Sequence, residues 1–229
     1  MSWRPLRPLA PGLWVAERPL RFLGMELGAR MSVLRLGDGG LLLHSPVRLD
    51  PHLRAELDGL GPVRALVAPN RFHHLFVADY LAAFPDARGY AAPGLERKRA
   101  DLGFYDVLDD EPPPLWAGRL DQLVFRAMPI LNEVVFFHPA TRTLIVTDLV
   151  FNVQRAESAI DRVLLRLDGV YRRVAIGRVE RRFVRDRRAA RAAIDRVLAW
   201  DFDRLVLAHG DVLEHGGREA LRAAFAWLP

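Results

Sequence analysis

With no cysteine among its 229 residues, the chain can do metal or acid–base chemistry only on histidine, carboxylate, amide and water. Disulfides, thiolate metal sites and a cysteine nucleophile are excluded. The seven histidines are His44, His52, His73, His74, His138, His209 and His215. His73 and His74 stand side by side in "VAPNRFHHLFVADY" (67–80), between a strand-like apolar run and a helix-like one. On a helix, neighbours point about 100° apart, so one of the two is expected to serve a site and the other to cap or pack. Three more polar residues stand where apolar runs end: His44 after "LLL", Asp148 after "TLIVT" and His209 after "RLVLA". In α/β proteins ligands gather at strand ends, where loops present polar side chains from a rigid sheet. One such residue is usually a turn former; several that converge make a site.

Elements that could bring them together alternate along the chain. "GLWVAE" and "RMSVLRLGDGGLLLHSP" read as strands broken by a "GDGG" turn. Asp50 caps a short helix, "PHLRAELDGL", with Pro51 at its first position. "VRALVAP" is a buried strand, "HHLFVADYLAAF" a helix ended by Pro85, "RGYAAP" a strand and "GLERKRADLG" a helix. After the loop "DEPPPLW", the runs "DQLVFRAM", "NEVVFFHP" and "RTLIVTDLVF" form a second, mostly antiparallel sheet. Helices follow over 156–167, 186–200 and 217–227, with the strand "RLVLAHGD" between the last two. Two sheets face to face with helices outside would bury this pattern in a single α/β domain, residues 1–229.

About half the residues are apolar (51%), enough for a sizeable core and against disorder. No run approaches the roughly 18–20 apolar residues of a membrane span, and the N-terminus lacks an apolar signal region, so a cytoplasmic protein is expected. The net charge is +5, and Lys98 is the sole lysine beside 32 arginines. The interleaved acids read as solvated helix faces and argue against nucleic acid as a partner. "RVERRFVRDRRAARAAIDR" (178–196) is the densest arginine run. Its second half is an amphipathic helix with Ala190, Ile194, Val197 and Leu198 inward. The irregular part before it is expected to be a lid, an anion-binding segment or an oligomer contact. "VVFFH" and Trp116 serve either an oligomer interface or the core.

The order of strand, histidine-bearing loop and helix, then "TLIVTDLVF", then "LVLAHGD" resembles the metallo-β-lactamase superfamily across nearly the whole chain. "LHSP", "APNxxHH" and "EVVFFH…TDL" resemble a domain-of-unknown-function branch with a degenerate HxHxDH motif. The resemblance implies an α/β fold, the four-layer α/β/β/α sandwich of the metallo-β-lactamase type. It also implies which ligands are lost. Asn70 and Phe72 fall where the family's first two loop histidines stand, Leu75 falls at the third, and the middle histidine would fall near Pro129. A register shifted by one does not restore the motif.

What remains of the family's ligand set is His74, Asp148 and His209. Two imidazoles and a carboxylate suit one zinc or iron (or manganese) ion and leave a position open for water. The resemblance further implies Glu133 and His73 as a general base or as partners of the ligands, with His44 and Asn70 as further pocket candidates. Two functions follow as expectations. One is a hydrolase-like protein with an altered, at most mononuclear, site and an unspecified small-molecule substrate. The other is a metal-free, non-catalytic protein that recognises a small anionic ligand through arginines.

Overall fold

The computed structural model describes residues 5–22, 25–156 and 158–229. The first half contains β1 (Arg7–Ala10), β2 (Leu13–Arg18), the short pair β3 (Arg21–Phe22) and β4 (Met25–Glu26), β5 (Ala29–Arg35) and β6 (Leu41–His44). There follow α1 (Pro51–Leu60), β7 (Val63–Ala68), α2 (Val77–Ala83), β8 (Arg88–Ala91), α3 (Leu95–Lys98) and β9 (Asp106–Val107). The second half contains β10 (Asp121–Phe125), β11 (Glu133–His138), β12 (Thr143–Val146), β13 (Phe151–Asn152), α4 (Ala159–Asp168) and β14 (Val174–Ala175). It ends with α5 (Arg178–Arg181), α6 (Arg187–Leu198), β15 (Arg204–Leu207) and α7 (Gly217–Ala224).

Seven strands form one sheet in the order β1-β2-β5-β6-β7-β8-β9, and four form a second in the order β10-β11-β12-β15. Strand alternation builds the layers, because successive side chains point to opposite faces. Leu42, Ala65 and Val67 of the first sheet meet Val134, Phe136, Ile145 and Val206 of the second. Their neighbours point the other way: Leu41, Leu43 and Leu66 pack under α1 and α2 with Leu53, Leu57 and Tyr80. Val135, Leu144, Val146 and Leu205 pack under α6 and α7 with Ile194, Leu221 and Phe225. The result is the expected four-layer α/β/β/α sandwich. Among the described residues, no helix is long and apolar enough to cross a membrane.

Helix ends follow their caps. Asp50 Oδ1 accepts the Leu53 amide (2.9 Å) at α1, and Asp186 Oδ1 accepts the Ala189 amide (2.9 Å) at α6. One expectation needs correction where it matters most. The helix after β7 begins at Val77, not at the histidines, and residues 70–76 form a turn instead. A side chain causes this: Asn70 Oδ1 accepts the amides of Phe72 (2.8 Å) and His73 (2.9 Å), which competes with helical pairing.

Candidate metal centre

Parallel strands β6 and β7 end side by side in the first sheet, as do β12 and β15 in the second. Four loops therefore leave one end of the sandwich, carrying Ser45, Asn70–His74, Thr147–Asp148 and His209–Gly210. Direct bonds stitch these loops together. Val134 N donates to Pro69 O (2.7 Å) and Arg71 N to Leu131 O (3.0 Å), tying the histidine loop to the second sheet. Asp211 N donates to Asn152 O (2.8 Å), and Asn152 Nδ2 to Asp211 O (2.8 Å). Gly210 allows that approach: it adopts φ +85°, and a Cβ there would collide with the Asn152 carbonyl.

Where the loops meet, His73, Asp148 and His209 converge. His73 Nε2 lies 3.2 Å from Asp148 Oδ2, His209 Nε2 lies 3.3 Å from Asp148 Oδ1, and the two Nε2 atoms are 3.3 Å apart. All three side chains are largely buried, between 7% and 14% exposed. Each imidazole is oriented from behind. His209 Nδ1 donates to Gly28 O (2.7 Å), which leaves Nε2 as the lone-pair nitrogen when the ring is neutral. His73 Nδ1 lies 2.7 Å from Ser45 Oγ, and Ser45 holds a left-handed backbone (φ +58°) to reach it. Phe151 stacks on the His209 ring (6.0 Å between centroids). The buried Arg30 guanidinium grips the carbonyls of Leu207 and Gly210 while pairing with Glu17 (2.8 Å).

Asp148 is held by a buried network. Glu133 is fully buried; its Oε1 accepts Thr147 N and its Oε2 accepts Asp148 N, each at 2.7 Å. Asn70 Nδ2 donates to Asp148 Oδ2 (2.8 Å) and Thr147 Oγ1 (2.9 Å), with Glu133 Oε2 at 3.3 Å. Burial, then the neighbouring Asp148 charge, raises the Glu133 carboxyl to about 7. Burial works in the same direction at Asp148, but His73 and His209 outweigh it and hold that carboxyl well below the ordinary range. At His73 burial opposes charge, and Asp148 and Glu133 overcome it, so its pKa is raised.

Several expectations change here. His74 does not join Asp148 and His209; His73 does. The turn set by Asn70 points His74 the other way, where its Nδ1 accepts from Arg99 Nη1 (2.9 Å). Burial, Lys98 and Arg99 depress its pKa to about 4. Glu133 is not placed as a general base, since backbone amides occupy both of its oxygens. It positions Asp148 instead. His73 likewise sits within the cluster, not beside it as a free base. His44 is buried behind the centre, edge-on to Phe136 (5.2 Å), with Nε2 unpartnered. Burial, then the nearby His73 charge, lowers its pKa to about 3. Asn70 is the hub of the network. His138 is buried and bonded to Thr141 Oγ1 (2.7 Å) in the β11–β12 turn. Ser45, Gly28 and Arg30 were not singled out. Ser45 carried a faint signal as the residue after a strand-end histidine; Arg30 and Gly28 carried none.

The chain matches the family described as a domain of unknown function, DUF4336, over residues 11–168. It belongs to that family. The DUF4336 match contains Ser45, Asn70, His73, Glu133 and Asp148, and stops short of His209. No curated protein matches the chain in sequence. Solved structures do match in fold. A metallo-β-lactamase from Pontibacter korlensis superposes with a TM-score of 0.68 at 12% identity, covering 98% of each chain. The metallo-β-lactamase FIM-1 from Pseudomonas aeruginosa, in its mono-zinc form, gives 0.64 at 13% identity over 99% of this chain and 96% of that one. A metal-soaked flavodiiron core, Flv1 from Synechocystis, gives 0.64 at 16% identity over 98% of this chain and 60% of that one. At these identities the likeness is one of fold: this DUF4336 chain has the metallo-β-lactamase fold.

Proposed function

We propose that this DUF4336 protein, taken as one domain over residues 1–229, is a metal-dependent, hydrolase-like protein. It would hold a single divalent ion on His73, Asp148 and His209. The observation that carries the reading is spacing. Ligand atoms around a tetrahedral zinc with bonds of 2.0–2.1 Å lie about 3.3 Å apart, and the three pairs here measure 3.2, 3.3 and 3.3 Å. Both imidazoles have their far nitrogen engaged, the support that metal-bound histidines require. Zinc, iron or manganese fits this donor set.

Asn70 supports the reading of a single ion. Its amide donates to Asp148 Oδ2, so that oxygen faces an N–H where a second cation would need a lone pair. An ion in the centre would supply Lewis acidity and a readily ionised water. The chain's own part is to fix Asp148 through Glu133 and Asn70, to fix the two imidazoles through Ser45 and Gly28, and to keep the ligand atoms mostly out of bulk solvent. The substrate is a small molecule.

Protein purified without chelator is expected to carry one zinc, iron or manganese per chain by elemental analysis. A saturating metal should then stabilise stripped protein by about 2.7 kcal/mol at a hundred times its Kd. Substoichiometric metal, together with an unchanged melting temperature on metal addition, would sink this reading. That outcome would favour a metal-free binding protein on the same scaffold, its His73–Asp148–His209 trio closed by hydrogen bonds.

A further inference from the structure

Beside the metal centre the 70–76 turn meets α3 and brings four cations together: Arg71, Arg97, Lys98 and Arg99. Two carboxylates share this corner and both are engaged. Glu96 pairs with Arg97 (3.2 Å) and Asp101 with Arg99 (2.6 Å). Arg71 and Lys98 have no carboxylate partner among the described residues. They lie against each other instead: Lys98 Nζ donates to the Arg71 carbonyl (2.8 Å) and sits 4.9 Å from the centre of the Phe72 ring. The Arg71 guanidinium reaches only the Pro129 carbonyl (3.1 Å), and its Nε is buried without a partner. Two adjacent like charges, one with an unsatisfied donor, cost stability unless an anion joins them. His74 adds a further donor: Arg99 can only donate, so His74 Nδ1 accepts and the ring proton sits on Nε2. Phe72, 39% exposed, offers an apolar wall on the same turn as His73.

We infer that Arg71, Lys98 and the Arg99–His74 pair form a subsite for an oxyanion, the carboxylate or phosphate of a small substrate. Its reacting end would lie at the His73–Asp148–His209 centre. The subsite deepens the reading of that centre and supplies its substrate class. In the arginine-rich 178–191 segment, by contrast, Arg191 pairs with Asp195 within α6, and Arg178 donates to the Leu167 carbonyl at the end of α4. Lys98, the chain's one lysine, is a compact charge suited to a single oxyanion oxygen.

Protein stripped of metal separates this idea from the metal reading, since neither result then depends on the other. Inorganic phosphate and benzoate, titrated calorimetrically at constant ionic strength, serve as probes and distinguish the two oxyanion classes. Metal-free wild type is expected to bind at least one of them. Lys98→Gln should weaken that binding by about tenfold, the loss of one charge-assisted hydrogen bond. Arg64→Gln, at the opposite end of β7, should bind as wild type does. Melting temperatures in chloride should agree among the three proteins, because both altered residues are exposed. Failure of wild type to bind either probe overturns the subsite. So does a Lys98→Gln protein that binds as well as wild type, or an Arg64→Gln protein that loses as much.

Discussion

His73 and His74 are neighbours in sequence and opposites in environment. His73 faces a buried carboxylate and a second imidazole, and its pKa is raised. His74 faces Arg99 and Lys98, and its pKa falls to about 4. One peptide bond separates a position that attracts cations from a position that repels them. A turn held by one asparagine side chain is enough to assign identical side chains to different chemistry.

The largest effect should come from breaking the first half of that pair. His73→Ala is expected to weaken zinc binding at least about a hundredfold, as for loss of a metal ligand, whereas His74→Ala should stay within about threefold. Competition against a chromophoric chelator measures both, and equal losses would abolish the contrast. Glu133→Ala should cost about 3 kcal/mol in urea unfolding, because it strands the amides of Thr147 and Asp148 in a buried site. A change below about 1 kcal/mol there would show that Asp148 is held by other means. Ser45→Ala should lower zinc affinity about tenfold while leaving the stoichiometry unchanged. An unchanged affinity would remove Ser45 from the support of His73.

Acid should produce the smallest effect. His44 and His74 are neutral in the fold with pKa values of about 3 and 4, below the ordinary 6.5. A depressed histidine gives its full stabilisation above 6.5 and loses it as pH falls toward the folded value. In metal-free protein these two histidines should therefore subtract stability from pH 6.5 down to 4, while Glu133, raised to about 7, and His73, also raised, act in the opposite sense. The difference between variants isolates one of them: His74→Gln should lose less stability than wild type over that window, by less than about 1 kcal/mol per pH unit. A variant with the same slope as wild type would place the loss at His44 or elsewhere.

Much of the architecture was legible because it rests on period-two alternation and on caps. Leu41–Leu43, Val134–Phe137 and Leu205–Leu207 divide their side chains between two faces, and that division can be read from residue order. Asp148 and His209 stood out as polar residues at strand ends, and the fold brings them together. The histidine loop was harder. Its residue pattern, apolar at helical spacing, predicts a helix from His73, but the Asn70 side chain accepts two amides ahead of it, and backbone bonds tie the loop to the second sheet. Glu133 was noticed with two tasks open, general base or partner to its neighbours, since nothing in sequence tells a carboxylate facing solvent from one capped by two amides of a neighbouring strand end.

By itself the sequence determined the two sheets, the helices outside them and the residue types available for a metal: histidine and carboxylate, with no thiol. Local periodicity and composition carry that information within a few residues. Only the tertiary structure decided that His73 and not His74 meets Asp148 and His209, that Asn70 donates to Asp148, and that Ser45, Gly28 and Arg30 brace the loops around them. Those choices depend on distances between residues as far apart as Gly28 and His209, which no local pattern encodes.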